Sequence, residues 1–150
     1  MHITFICTGN TCRSPMAEGI ARNIISEKYP ESGITVSSAG LNTWGGSPAS
    51  QHSIDACREI GIDLLGHRSR RINQEIADNT DLFAVMTPAH AQFLRQCGIP
   101  SGKIAVLGSG VPDPFGGDLE QYRACRDSLM KAVESLLTEL AARNGETKDE

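Results

Sequence analysis

Short apolar runs alternate along the chain with longer segments that carry helix signals. The first run, residues 2–6 (HITFI), is rich in β-branched and aromatic residues, which predicts a buried strand. Three later runs predict further strands at residues 34–38, 82–86 and 103–107. Because strands and helices alternate, the pattern predicts an α/β domain built on a parallel sheet with right-handed crossovers.

Helix signals fill the segments between these strands. Ser14 fits an N-cap and Pro15 fits the first position of a helix that we expect to end near Tyr29. Further helices are predicted at residues 47–60, 88–96 and 119–143. Residues 144–150 (NGETKDE) are polar and predict a mobile tail, so the predicted domain is residues 1–143.

The composition narrows the class of protein. The 150 residues are 39% hydrophobic and 21% charged, which is typical of one soluble globular domain. The formal net charge of −4 argues against non-specific binding of nucleic acid. No apolar run approaches the ~20 residues that cross a bilayer, and the N-terminus lacks the features of a signal peptide. We therefore expect a cytoplasmic protein that binds neither nucleic acid nor membrane.

Five cysteines are spread along the chain: Cys7, Cys12, Cys57, Cys97 and Cys125. An odd number in a cytoplasmic chain argues against a disulfide framework. No C-x2-C pair occurs and the four histidines are scattered, so we expect no zinc site. We expect no cofactor either. Cys57 and Cys125 fall on predicted helices and Cys97 directly follows one, and we expect all three to pack as small core residues.

The segment between the first strand and the first helix reads CTGNTCRS, residues 7–14, and has the form C-x5-R-S. The backbone N–H groups of such a loop can wrap around an oxyanion, and the following helix adds the positive end of its dipole. Gly9 is expected to let the backbone turn tightly. Arg13 can hold two phosphate oxygens with its planar guanidinium. The loop therefore predicts a phosphate site.

Cys7 stands at the mouth of this loop, where the same positive field favours its thiolate. A thiolate there can attack phosphorus and form a cysteinyl-phosphate, which water then hydrolyses. Ser14 can hydrogen-bond the thiolate, and Asn10 can hold the shape of the loop through its amide. The alternative is that Cys7 is a buried core cysteine at the end of a strand.

The segment CTGNTCRSPMAE resembles the signature of the low-molecular-weight protein tyrosine phosphatase family. Further matches follow in order at Ser38-Ala39-Gly40, GHRSR (residues 66–70), Asp81 and DPFG (residues 113–116), so the resemblance covers most of the chain. It implies a single three-layer domain with a four-stranded parallel sheet, and hydrolysis of phosphomonoesters without metal. It also implies a phosphate-binding loop that comprises Thr8, Gly9, Asn10, Thr11, Cys12 and Ser14, between the nucleophile Cys7 and the clamp Arg13.

Asp113 matches the general acid of the family. A residue-based argument supports this, because the leaving group needs a proton and a carboxyl group on a loop at the carboxyl edge of the sheet can supply it. An ordinary turn aspartate in the sequence Pro-Asp-Pro is the alternative. The resemblance further implies a reversible disulfide between Cys7 and Cys12 that guards the nucleophile against over-oxidation. A packed thiol facing the helix is the alternative for Cys12.

Three residues bear on the substrate. Trp44 and Phe115 lie on loops expected to flank the phosphate loop and can form the walls of a slot, although simple packing explains either. Thr11 stands where tyrosine-directed relatives commonly have a branched apolar residue, and its hydroxyl suits a guanidinium group. The chain is most similar to the protein-arginine phosphatase branch, so phosphoarginine in proteins is favoured over phosphotyrosine.

Thioredoxin-coupled arsenate reductases share the loop but have Gln where this chain has Pro15, and they need two further cysteines after the third strand. Residues 86–90 contain no cysteine, and the next one is Cys97, which disfavours a reductase. The expected partners are phosphorylated proteins. A monomer is compatible with the sequence, which does not determine the oligomeric state.

Overall fold

The computed structural model describes residues 1–148, with side chains through residue 143. The principal elements, in chain order, are β1 (His2–Cys7), α1 (Arg13–Lys28), β2 (Thr35–Gly40), α2 (Gln51–Arg58), α3 (Gln74–Asp78), β3 (Leu82–Val85), α4 (Pro88–Gln96), β4 (Ile104–Val106) and α5 (Leu119–Lys148). A short 3-10 helix, Ser101–Lys103, leads into β4. The predicted alternation of strands and helices is confirmed.

The four strands form one parallel sheet in the order β2-β1-β3-β4. The chain passes from β1 outward to β2 and then returns to the other side of β1 to form β3. Such a reversal opens a crevice at the carboxyl ends of the strands, where ligands bind in open α/β sheets. Cys7 is the last residue of β1 and lies opposite Gly40 of β2, so the predicted nucleophile stands at this crevice.

Helices cover both faces of the sheet and give three layers, as expected. On one face, α1 and α5 pack against each other and against the sheet. Met16 of α1, Leu137 of α5 and Phe5 of β1 are fully buried there. On the other face, α4 packs Leu94 against Phe83 of β3. Full burial of a side chain of this size stabilises the fold by about 1.5–3 kcal/mol, so these layers hold the crevice rigidly.

Several element bounds differ from those predicted. The helix expected at residues 47–60 begins at Gln51, because the Ser50 hydroxyl accepts a hydrogen bond from the Ser53 backbone and caps it there. The last helix passes the expected end at Arg143 and continues to Lys148. Of the predicted mobile tail, residues 144–150, the last two lie outside the described residues, and its mobility stays a prediction.

Candidate active site

Cys7 is 2% exposed at the end of β1, and its sulfur has two polar neighbours from the loop. The Ser14 Oγ lies 2.9 Å from the Cys7 Sγ, and the Asn10 backbone N–H donates to the same sulfur at 3.3 Å. Cys7 belongs to the buried core cluster, and these two polar contacts distinguish it from a cysteine with only apolar neighbours.

Helix α1 begins at Arg13, and its N-cap position, Cys12, makes no side-chain capping bond. The prediction that Ser14 is the N-cap is therefore wrong, since Ser14 is the second residue of the helix. Its hydroxyl contacts Cys7 and accepts a hydrogen bond from the Asn10 amide instead. A helix without a capping side chain keeps its first N–H groups for a ligand, as an anion site at a helix N-terminus requires.

Asn10 is buried and holds the loop through both its side chain and its backbone. Its amide donates to the hydroxyls of Ser14 at 2.7 Å and Ser38 at 3.0 Å. Its amide oxygen accepts from the Arg70 backbone N–H at 2.8 Å, and its backbone carbonyl lies 2.7 Å from His67 Nε2. These contacts tie the loop to β2 and to the segment of residues 67–70, in line with the shape-holding role predicted for Asn10.

The left-handed turn of the loop is made by Asn10, with φ 57°, and not by Gly9, so the role predicted for Gly9 is wrong. Asparagine tolerates this conformation better than most residues because its side chain can bond locally. The glycine that the loop does require is Gly40, since a Cβ there would lie 2.8 Å from the Thr8 carbonyl oxygen. Sequence analysis noticed Gly40 only as a family match and missed this close approach.

Arg13 is 3% exposed, and contacts within the protein hold its guanidinium in place. One terminal nitrogen donates to the Val111 carbonyl at 2.9 Å, and the other lies 3.6 Å from the Asp113 carboxylate. Asp113 is itself half-exposed, and it accepts a hydrogen bond from the Phe115 backbone N–H at 3.1 Å. The predicted clamp and the predicted acid therefore lie side by side.

A cavity of about 230 Å³ joins these groups. It is lined by Cys7, Thr8, Gly9, Thr11, Cys12, Arg13, Asp113 and Phe115. A larger cavity of about 530 Å³, with Arg70 and Arg71 in its lining, contains neither the thiol nor the acid, so size alone does not locate the site. Nucleophile, clamp and acid meet in the smaller cavity, which we take as the candidate active site.

The two aromatic residues expected to flank the site differ in position. Phe115 lines the cavity and is 78% exposed, as a contact for an incoming protein segment would be. Trp44 is fully exposed and is not among the described residues that line the cavity. Its role in substrate specificity stays a prediction and needs a substrate that extends beyond the cavity.

Cys12 is 6% exposed, and its sulfur lies 3.3 Å from the Tyr122 hydroxyl. Burial, aided by the hydrogen bond with Cys12, raises the pKa of Tyr122 to about 12. All five cysteines are free thiols, so the Cys7–Cys12 disulfide stays a prediction. Cys97 is exposed at the C-terminal end of α4, and its predicted place in the core is wrong because it follows the last buried turn of that helix.

Comparison with known proteins fits this geometry. The sequence profile of the family described as low molecular weight phosphotyrosine protein phosphatase matches residues 2–146. The chain belongs to this family. The predicted resemblance is thereby confirmed, and the chain is a cysteine-based protein phosphatase by family. The described residues include no helix that is long and apolar enough to span a membrane.

The similar proteins include arginine phosphatases, arsenate reductases and tyrosine phosphatases. The protein-arginine-phosphatase of Bacillus subtilis is 38% identical over 93% of this chain and 97% of its own length. Arsenate reductase 1 of Staphylococcus epidermidis is 36% identical over 89% of this chain and 92% of its own. A solved YwlE arginine phosphatase variant, described as having a phosphorylated active site serine, superposes with a TM-score of 0.87 at 34% identity, over 93% of this chain and 95% of that one.

Proposed function

We propose that this enzyme removes the phosphoryl group from phosphoarginine in proteins, through a cysteinyl-phosphate formed on Cys7. The observation that carries the proposal is the single cavity in which Cys7, Arg13, Asp113 and Thr11 meet. The similar YwlE variant with a phosphorylated active site serine supports a covalent intermediate at this position. The five free thiols suit a reducing compartment, so we propose the cytoplasm as its location.

In the first step the Cys7 thiolate attacks phosphorus, and an S–P bond forms as the P–N bond to the arginine breaks. Asp113 gives its proton to the departing guanidine nitrogen. Arg13 and the backbone N–H groups of the loop hold the three phosphoryl oxygens, on which negative charge is concentrated during transfer. Asp113 lies beside Arg13 on the open side of the cavity, where the leaving group departs.

In the second step a water molecule attacks phosphorus and gives a proton to Asp113. The S–P bond breaks, inorganic phosphate forms and the Cys7 thiolate is restored. The Ser14 hydroxyl, 2.9 Å from the sulfur, stabilises the thiolate as it leaves. Both steps use the same residues, and the second step consumes one water molecule.

Thr11 supports phosphoarginine over phosphotyrosine as the substrate. It lines the cavity, so its hydroxyl can bond a guanidinium group that a branched apolar residue would leave unsatisfied. Its backbone carbonyl accepts a hydrogen bond from the Ser50 N–H at 2.8 Å, which holds the residue in place whatever its side chain. The protein-arginine-phosphatases of Bacillus subtilis and Geobacillus stearothermophilus, both similar to this chain, support the same substrate.

The test compares kcat/KM on matched peptides that carry phosphoarginine or phosphotyrosine, under reducing conditions at neutral pH. We expect the wild type to prefer phosphoarginine, and Thr11→Ile to reverse the preference by about 10-fold or more. Thr11→Val keeps the shape of threonine without its hydroxyl, so it separates hydrogen bonding from bulk. A wild type that prefers phosphotyrosine would leave the loop chemistry in place and make the enzyme a tyrosine phosphatase of the same family.

Arsenate reduction is the second candidate, because a reductase is 36% identical to this chain. Apart from Cys12 in the loop itself, a relay of thiols needs a further cysteine that can approach Cys7. Cys57 and Cys125 are buried, and burial raises the pKa of each to about 12, which suppresses thiolate formation. Cys97 lies beyond α4, a helix of nine residues and thus ~14 Å long. We therefore expect that, with thioredoxin present, the wild type consumes arsenate no faster than the Cys97→Ser variant does.

A further inference from the structure

His90 lies in the first turn of α4, a helix capped by the Thr87 side chain, and is 8% exposed. Its Nε2 atom lies 3.0 Å from the hydroxyl of Thr8, the residue that follows the nucleophile. The Thr87 hydroxyl accepts from the His90 backbone N–H at 3.2 Å, so the position of the ring is set by the start of the helix. A buried ring of a separate helix thus touches the phosphate-binding loop at one atom.

The other ring nitrogen, Nδ1, is buried and has no hydrogen-bond partner within the described part of the chain. Burial, and next the charge of Arg13, lower the pKa of His90 from its ordinary value of 6.5, while Asp113 opposes them. The ring is therefore neutral at neutral pH and carries one proton. Buried donors without a partner are rarer than buried acceptors without one, so Nδ1 is the bare nitrogen and Nε2 bears the hydrogen.

We propose that His90 is a positioning residue that acts through Thr8. The His90 Nε2–H donates to the Thr8 hydroxyl oxygen, which frees the Thr8 O–H to donate into the cavity that Thr8 lines. The Thr8 backbone is held independently, since its carbonyl accepts from the Asn42 N–H at 2.9 Å. Thr8 then adds a side-chain donor to the oxyanion cradle, aimed at a phosphoryl oxygen whose charge grows in the transition state.

This inference rests on the proposed phosphoryl transfer, but one of its tests measures the binding of anions and does not depend on turnover. Orthovanadate adopts the geometry of phosphoryl transfer, whereas inorganic phosphate resembles the product, so the ratio of their dissociation constants reports transition-state binding. We would measure this ratio, together with kcat and KM on the phosphopeptides, for Thr8→Val, His90→Leu, the double variant and His90→Gln.

We expect Thr8→Val and His90→Leu each to lower kcat by about 10-fold with KM little changed, and to weaken vanadate binding more than phosphate binding. The double variant should lose no more than either single variant, because both remove the same interaction. Glutamine carries an N–H donor on a side chain of similar reach, so His90→Gln should recover part of the loss.

The chain contains a matched control pair. His2 Nδ1 lies 2.7 Å from the Thr35 hydroxyl, and these two residues begin β1 and β2, at the end of the sheet away from the cavity. His2→Gln and Thr35→Val therefore change a similar contact that is remote from the cavity. Neither should alter the vanadate-to-phosphate ratio. Additive losses in the Thr8 and His90 variants, or equal weakening of both anions, would overturn the proposal even if the phosphatase reaction is confirmed. If the enzyme does not turn over the phosphopeptides but the vanadate-to-phosphate ratio changes in the variants as expected, the proposed reaction is overturned and the role of His90 is not.

Discussion

The two loops that meet in the cavity are held in different ways. The proposed phosphate-binding loop, residues 7–14, is largely buried, and Asn10 ties it to Ser38 of β2 and to the segment that carries His67 and Arg70. The acid loop carries Asp113 with half of its side chain exposed, fixed by its own turn and by Arg13 at 3.6 Å. The oxyanion is the same in every substrate and suits a rigid cradle, whereas leaving groups differ and suit an open loop.

The ends of the acid loop are nevertheless anchored. The Val111 N–H donates to the Met86 carbonyl at 2.6 Å, where β3 has just ended. At the other end, Asp118 and Gln121 exchange hydrogen bonds of 2.9 and 3.0 Å and cap the start of α5. Hydrogen bonds therefore hold both ends of this loop, and only the few residues around Asp113 lie between the two anchors.

Removal of the nucleophile is the largest change. Cys7→Ser should abolish turnover, a loss of more than about 10⁴-fold, because the serine hydroxyl is not ionised in this environment. The variant should still bind phosphate or vanadate, since the cradle is unchanged. Steady-state kinetics and isothermal titration check the two halves, and near-wild-type turnover would contradict the covalent mechanism.

Loss of the Asn10 side chain tests the rigidity of the cradle. Asn10→Ala leaves the partners of three hydrogen bonds unsatisfied in a buried place, which costs about 3 kcal/mol and should lower Tm by roughly 6–12 °C. We also expect kcat/KM to fall, because the Ser14 hydroxyl loses its donor. Asn79→Ala is the matched control, since exposed Asn79 makes one bond to the Glu75 carbonyl; equal effects in the two variants would refute the comparison.

Substitution of the acid tests the open loop. Asp113→Asn keeps the oxygen that accepts from Phe115 and removes the proton donor, so kcat should fall by about 10²–10⁴-fold on substrates with poor leaving groups. The loss should be least on aryl phosphates with good leaving groups, and Tm should hardly change. Measurement of kcat across a series of leaving groups checks this, and an equal loss on all of them would count against Asp113 as the acid.

Phe115→Ala is the mildest change. Phe115 is 78% exposed, so its removal should alter stability by less than about 0.5 kcal/mol. KM for phosphopeptides should rise roughly 5-fold, which corresponds to about 1 kcal/mol of lost aromatic contact. KM for a small phosphate ester should not change. A large fall in kcat would instead show that Phe115 holds the acid loop in place.

The sequence predicted the fold class and the family, because their signals are local. The pattern of residues 2–6, the loop and the following helix signals place the predicted nucleophile between a strand and a helix through covalent sequence alone. The turn at Asn10 and the true start of α1 were not predicted. Both depend on Ser14, whose hydroxyl serves the sulfur rather than the helix end, and propensity rules favour the cap.

What the sequence by itself determined is therefore the chemistry that adjacent residues provide: a thiol, a guanidinium and a helix N-terminus within eight consecutive positions. The tertiary structure alone decided which distant residues serve that loop. Asn10 bonds Ser38, Arg70 and His67, Thr8 meets His90 at a separation of 82 positions, and Trp44 stays outside the cavity lining. Hydropathy and spacing describe the neighbours along a chain, whereas the sheet brings the carboxyl ends of separate strands to one edge.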